Sequence, residues 1–362
     1  VDALSSVGCL LVGIALPIGV LTVLVRRGTR QLAVSDTYGE VSRELGLDVD
    51  TRGLSLRGHL AEQRLWVGSV MVDHGPARSH ACWGVLDLAR PLGLGLVLRR
   101  KGLRDRLRRP KGPRVALDGD PLDRLVEVFG DDPGRVREVL GPSVRAVLGP
   151  VLERWRDLVV TDQTVRIHLP RPLARAAELR TLVADMRALA AALHEARAAV
   201  APPAPLAARL AEWRSLGDAL GLEVEPAYPG LVGRVDDHPV RVTPLRTADG
   251  YGAEVRVGFR PHRRTGLRLR PQEEPDGYWS VGQDIQCADP VFDQAFVVKG
   301  WDPDHVRELL APELRGRLVA LLRHGRLDLD DLRLHLGPVN ADVAGLGPMV
   351  RDAVDAANRL GW

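Results

Sequence analysis

Few side chains in this 362-residue chain are spaced for chemistry. The most metal-like cluster is Asp73, His74, His80 and Cys82, because imidazole, carboxylate and thiolate together ligate zinc and other transition metals. Its spacing matches no established ligand pattern, and the corresponding stretch of the second half, 243–254, has neither His nor Cys. It therefore reads as a polar loop with incidental histidines, and no metal or cofactor is expected. Cys82 has no basic or helix-N-terminal setting in the sequence that would lower its pKa and make it a nucleophile. Arg166 and His168, and again Arg333 and His335, fall on alternate positions of predicted strands whose other face is apolar. Both pairs point away from the core, as a solvated face or as a strip of anion-binding donors. Asp123 and Asp293 recur in the two halves without a second carboxylate for acid/base work, which fits a turn or cap. No phosphate-binding loop, nucleophile elbow, HExxH or dinucleotide fingerprint occurs, so no catalytic residue is assigned. The run Leu92–Leu98, Leu-Gly alternating, reads as a strand.

One segment suggests a partner. Arg99, Arg100, Lys101, Arg104, Arg106, Arg108, Arg109, Lys111 and Arg114 are gathered within sixteen residues, with Asp105 the only acid among them. Arg is abundant throughout while Lys occurs only at Lys101, Lys111 and Lys299, so clustering rather than Arg count is the signal. Anionic headgroups, an acidic protein or a second copy of the chain would suit such a strip. Nucleic acid is disfavoured by the scarcity of aromatics beside it. The equivalent stretch of the second half, 270–288, carries Glu273, Glu274, Asp276 and Asp284 instead.

The elements that position these residues follow from an internal repeat. Leu45–Asp50 recurs as Leu220–Glu225, Arg90-Pro91 as Arg260-Pro261, and Arg166, His168 and Leu169 as Arg333, His335 and Leu336. Between them Leu122-Asp123, Gly130, Asp132-Pro133, Val136-Arg137-Glu138, Leu140, Pro142 and Arg145 recur at one offset from Phe292-Asp293 to Arg315. Asp132 and Asp302 read as helix N-caps followed by Pro at the first helical position. The order of elements, strands first and helices after, predicts an α+β fold in two tandem copies, 36–200 and 207–362, joined by a Pro-rich linker at 201–206. The uncharged stretch 3–25 is long enough for a transmembrane anchor, and Arg26, Arg27 and Arg30 after it place the remainder on the cytoplasmic side. The expected location is thus a cell membrane, with a single pass.

The segment Asp289-Pro290-Val291-Phe292-Asp293-Gln294-Ala295-Phe296-Val297-Val298, with Asp302-Pro303 and Leu309-Leu310-Ala311-Pro312 after it, resembles uncharacterised bacterial membrane-anchored proteins with an FDxxFxV segment followed by a helix pair. The first copy departs from that pattern at Leu122 and Val126. The resemblance implies an anchor and a fold class, and no activity or site residue. The expected function is a membrane-tethered cytoplasmic interaction or adaptor module without catalytic activity. The alternatives are an enzyme with an unrecognised site at the cleft between the repeats and non-specific nucleic-acid binding through 99–114.

Overall fold

The computed structural model describes residues 36–360 apart from 51–54, 61–62, 75–76, 103–111, 118, 172, 174, 226–227, 248–249, 260–264, 273–283, 332 and 340–341. The expected anchor, 3–25, lies outside the described residues. Among those described, no helix is long and apolar enough to cross a membrane. The longest, 24 residues, carries Glu178, Arg180, Asp185, Arg187, Glu195 and Arg197 along its length, charges that a hydrocarbon core would not accept. The expectation of an α+β chain on a single membrane span is corrected to a mixed α/β fold with two antiparallel sheets, and no helix among the described residues supports the single-pass location.

The first sheet comprises β1 (Asp48–Asp50), β2 (Ser55–Leu60), β3 (Gln63–His74), β4 (Ala77–Asp87), β5 (Val97–Arg100), β6 (Arg114–Val115), β7 (Val126–Phe129), β8 (Asp157–Thr161) and β9 (Thr164–Leu169). Their order across the sheet is β1-β2-β3-β4-β9-β8-β5-β7-β6. The second comprises β10 (Leu222–Val224), β11 (Leu231–Val235), β12 (His238–Thr247), β13 (Gly250–Gly258), β14 (Arg268–Pro271), β15 (Phe296–Lys299), β16 (Leu327–Asp330) and β17 (Arg333–Val339), in the order β10-β11-β12-β13-β17-β16-β14-β15. Strand for strand the two orders coincide, with β6 an addition at the edge of the first. Period-two patterning sets the faces: Val165, Ile167 and Leu169 of β9 are buried while Arg166 and His168 between them are half-buried, and Leu334 and Leu336 of β17 flank His335 in the same way.

The helices are α1 (36–45), α2 (Pro133–Val139), α3 (Pro142–Arg154), α4 (Ala176–Ala199), α5 (Ala204–Ala207), α6 (Leu210–Leu220), α7 (Pro290–Ala295), α8 (Pro303–Leu309), α9 (Pro312–Leu321) and α10 (Val343–Arg359). Asp132 accepts the N–H groups of Gly134 and Arg135, and Asp302 those of Asp304 and His305, so each satisfies donors that the first turn leaves open. Asp123 and Asp293 bind backbone: Asp123 accepts from Leu117 N at 3.4 Å and Asp293 from Cys287 N at 2.9 Å. Arg145 reaches Asp120 at 2.9 Å, and Arg315 reaches Asp289 at 3.4 Å.

The chain divides into two compact units. One holds the described residues up to Ala89 together with Val151–Leu158 and Thr164–Ala188; the other holds Arg90–Pro150, Val159–Gln163 and the residues from Leu189 onward. In the first unit Leu56, Leu65, Val67, Leu86, Ile167 and Leu182 are buried, and Gly84 lets Met186 approach to where a Cβ would lie 3.1 Å from its sulfur. The second unit's core joins α6 and α10 to β11–β17 through Trp213, Leu231, Val255, Leu334, Val350 and Val354. Gly130 and Gly300 sit where a Cβ would lie 2.5 Å from Cγ2 of Val136 and of Val306, the first buried valines of α2 and α8. Gly300→Ala is therefore expected to lower stability by about 1–3 kcal/mol through overpacking, read as a lower urea midpoint. An unchanged midpoint would mean that α8 shifts freely.

Candidate functional site

A set of buried charge lies in the second unit, on the face of the second sheet opposite Val255 and Val257. Cross-strand register puts Arg241 opposite Arg256, Arg256 opposite His335, and His335 opposite Asp328, so one polar row crosses β12, β13, β17 and β16. Thr243 and Glu254 form the next pair on that face. Glu254 is 1% exposed, and its carboxylate meets Arg256 Nη2 at 2.7 Å, His335 Nε2 at 3.2 Å and the amide of Gln163 at 3.3 Å. Burial pushes its pKa up, but Arg256, His335 and Arg333 outweigh it and hold the group down to about 2. Burial likewise raises Asp328, and its contacts with His335 and Arg326 more than compensate, leaving it below the ordinary carboxylate range. Glu225, 3% exposed, lies 2.7 Å from Arg90 Nε and 3.6 Å from Arg241 Nη2. With each buried carboxylate matched to guanidinium, this is an ion network whose members are engaged with one another.

Beside it stands a second polar centre built on a turn. Asp162, between β8 and β9, accepts from the backbone N–H of Leu94 at 3.1 Å, Gly95 at 2.8 Å and Leu96 at 2.8 Å. Gly93 and Gly95 adopt φ of 66° and 64°, which turns successive N–H groups toward the carboxylate. The Leu-Gly run expected as a strand is for that reason a loop over 92–96, with β5 beginning only at Val97. Burial pushes Asp162 up to about 6, against the lowering effect of the three N–H groups. The second sheet repeats the device: Asp331 accepts from Gly266 N at 2.8 Å, Leu267 N at 3.2 Å and the Thr265 hydroxyl, with Gly266 at φ 69°. Against the 92–96 loop lie Arg197, whose Nε donates to the Leu92 carbonyl at 2.6 Å, and Tyr228, whose ring centroid is 4.9 Å from the guanidinium carbon.

Of the residues singled out by sequence, Asp73, His74, His80 and Cys82 lie on the paired strands β3 and β4 rather than in a loop. The side chains of the first three lie outside what is described. Cys82 is buried, 3.6 Å from the Tyr38 hydroxyl, and burial pushes its thiol up to about 11, the opposite of nucleophile activation. The two histidines of the Arg/His pairs face carboxylates of the chain itself: His168 Nδ1 is 3.1 Å from Asp157, its ring tilted at 42° with its centroid 4.4 Å from that of Trp83, and His335 lies between Glu254 and Asp328. An anion-binding strip is not what they form. In the basic segment, Arg99 pairs with Glu127 at 3.1 Å over the Phe129 ring, Lys101 donates to the Asp123 carbonyl, Arg100 ends β5 and Arg114 opens β6. Arg104, Arg106, Arg108, Arg109 and Lys111 lie outside the described residues. Asp162, Gln163, Arg197, Tyr228 and Glu254 escaped sequence reasoning altogether.

No protein-family model matches the chain, and no curated protein is significantly similar to it. Among solved structures it is similar to the crystal structure of the mycobacterial trehalose monomycolate transport factor A, TtfA, at 12% identity and a TM-score of 0.33. The match covers 44% of this chain and 94% of that one, and at that score it carries no conclusion about fold or function.

Proposed function

We propose that the chain is a non-catalytic interaction module that engages an acidic protein surface through the Arg99–Arg114 segment. What supports this reading is the placement of the segment's ends. Arg99 and Arg100 close β5 and Arg114 opens β6, the two strands that flank β7 at one end of the first sheet. The segment thus runs from β5 to the edge strand β6, and a cluster of cationic residues steers an oppositely charged partner. The groups suited to chemistry are meanwhile used internally: Glu254 by Arg256 and His335, Asp162 by three backbone N–H groups, Cys82 by burial against Tyr38.

The test uses the full chain and a peptide of its own acidic stretch, 270–288, as the probe. Binding is expected to fall with salt and to weaken about tenfold or more when Arg104, Arg106, Arg108 and Arg109 are replaced by Gln, each exposed pair contributing up to about 1 kcal/mol. The variant should keep the stability of the natural chain. Salt-independent peptide binding, or binding unchanged in the variant, would exclude the segment as the contact. Capture by duplex DNA with equal affinity would favour the nucleic-acid alternative instead.

A further inference from the structure

His238 opens β12 and is buried, 7% exposed, against the last turn of α10 in the second unit. Both of its ring nitrogens face oxygen: Nδ1 lies 3.1 Å from the Gly258 carbonyl and Nε2 lies 3.0 Å from Oδ1 of Asn358. A backbone carbonyl only accepts, so Nδ1 carries a proton. The Asn358 amide is oriented by its other end, where Nδ2 donates to the Asp236 carboxylate at 3.4 Å. Turning the amide over would set its oxygen against that carboxylate, so Oδ1 stays toward the ring and Nε2 donates as well. A ring that donates from both nitrogens is an imidazolium. The Phe259 ring stands edge to it at 6.3 Å and offers no acceptor.

The surrounding charge favours the same state. The contact falls in the last turn of a 17-residue helix, whose open carbonyls place partial negative charge there. Among the described residues, the charged groups flanking these contacts are committed to one another. Arg234 pairs with Asp237 across the hairpin turn, Arg256 of β13 with Glu254, and Asp355 of α10 with Arg317 and Arg359. Asp236 is thus the carboxylate that acts on His238, through Asn358. We propose that His238 is a proton-operated latch, which in its doubly protonated form ties the end of α10 to the β11–β12 hairpin and to β13. Loss of the Nε2 proton to solvent sets a ring lone pair against Asn358 Oδ1, and the amide relieves that contact only by giving up Asp236. The latch is closed in acid and opens as pH rises, the sign expected where the folded state holds the extra proton.

Hydrogen exchange of the full chain, followed in peptides covering 352–360, measures the latch. Protection factors there are expected to fall about five- to tenfold between about pH 5.5 and about pH 8.5, either side of the ordinary histidine range, as one net hydrogen bond is lost. D236N keeps the left-handed turn, since Asn is a preferred residue at the φ of 46° found there, and it removes the charge that orients Asn358. In that variant the fall should shrink to less than about twofold, because either orientation of the Asn358 amide then finds a partner. Ring proton–nitrogen correlation spectra of the natural chain at about pH 7.5, where a solvated histidine is mostly neutral, should show His238 protonated at both nitrogens. Should D236N fail to fold, those spectra decide alone. A neutral His238 in the spectra, equal protection at the two pH values, or a loss in D236N as large as in the natural chain would overturn the proposal.

Discussion

Replacing Asp162 by Ala is expected to lower the stability of the chain by about 2–4 kcal/mol at neutral pH, and by more in acid. The substitution leaves the N–H groups of Leu94, Gly95 and Leu96 without their acceptor, and each such buried donor costs about 1–3 kcal/mol. Part of that loss is offset at neutral pH, because the ionised carboxylate is itself costly to bury. The sign of the pH effect follows from the direction of the shift. Burial raises the folded-state pKa of Asp162 from 3.8 to about 6, so its protonation contributes stability that is fully present below 3.8 and is lost as pH rises through 6. The gap between the natural chain and D162A should therefore widen by up to roughly 3 kcal/mol between pH 7.5 and pH 3.5. Urea unfolding at the two pH values measures it. A gap that narrows in acid would show that Asp162 is not the group that titrates near 6.

The contrast between Asp132 and Asp162 shows which parts of this molecule a sequence discloses. Asp132 is followed by Pro133 and an apolar stripe, and the structure has the helix start that local rules require. The alternation in β9 and β17 is equally local, and their faces come out as patterned. Asp162 carries no local mark, since its partners stand 66 to 68 residues earlier in the chain. Its counterpart was hidden as well: Asp157 meets His168 eleven residues on, whereas Asp328 and His335 are opposed across a tighter hairpin, so matching at one offset passes over Asp331. The Leu-Gly run misleads for a physical reason. Glycine at alternate positions imitates period-two patterning, yet Gly93 and Gly95 serve a left-handed backbone. The short helix α7 was missed because six residues give too little period to read, and it is held by the Asp289 cap rather than by propensity. Of the candidate functional residues, the basic segment was legible because charge clustering needs no fold. Glu254 was not, because its partners His335 and Gln163 stand 81 and 91 residues away in the chain.

Glu254 is expected to behave in the opposite sense to Asp162. In E254Q the amide cannot neutralise Arg256, which is left with an uncompensated charge on a mostly covered face, its side chain only 14% exposed. Breaking such a pair by removing one partner costs about 3–5 kcal/mol, whereas exchanging both Glu254 and Arg256 for apolar residues of similar volume should cost far less. The folded-state pKa of Glu254 is depressed from 4.5 to about 2, so its contribution is present above 4.5 and is lost as pH falls through 2. The deficit of E254Q should hence be constant above about pH 5.5 and shrink as pH falls toward 2, by roughly 3 kcal/mol in all. D162A and E254Q would then diverge on acidification, one deficit growing while the other closes. The two sites also meet through adjacent residues, since Asp162 fixes the turn from which Gln163 reaches Glu254. A double variant should therefore fall short of the sum of its parts by about 0.5–1.5 kcal/mol, the coupling expected of neighbours in one network. Strict additivity would separate the turn from the ion network, and a deficit of E254Q that persists to pH 2 would remove Glu254 as the buried anion on which that network is centred.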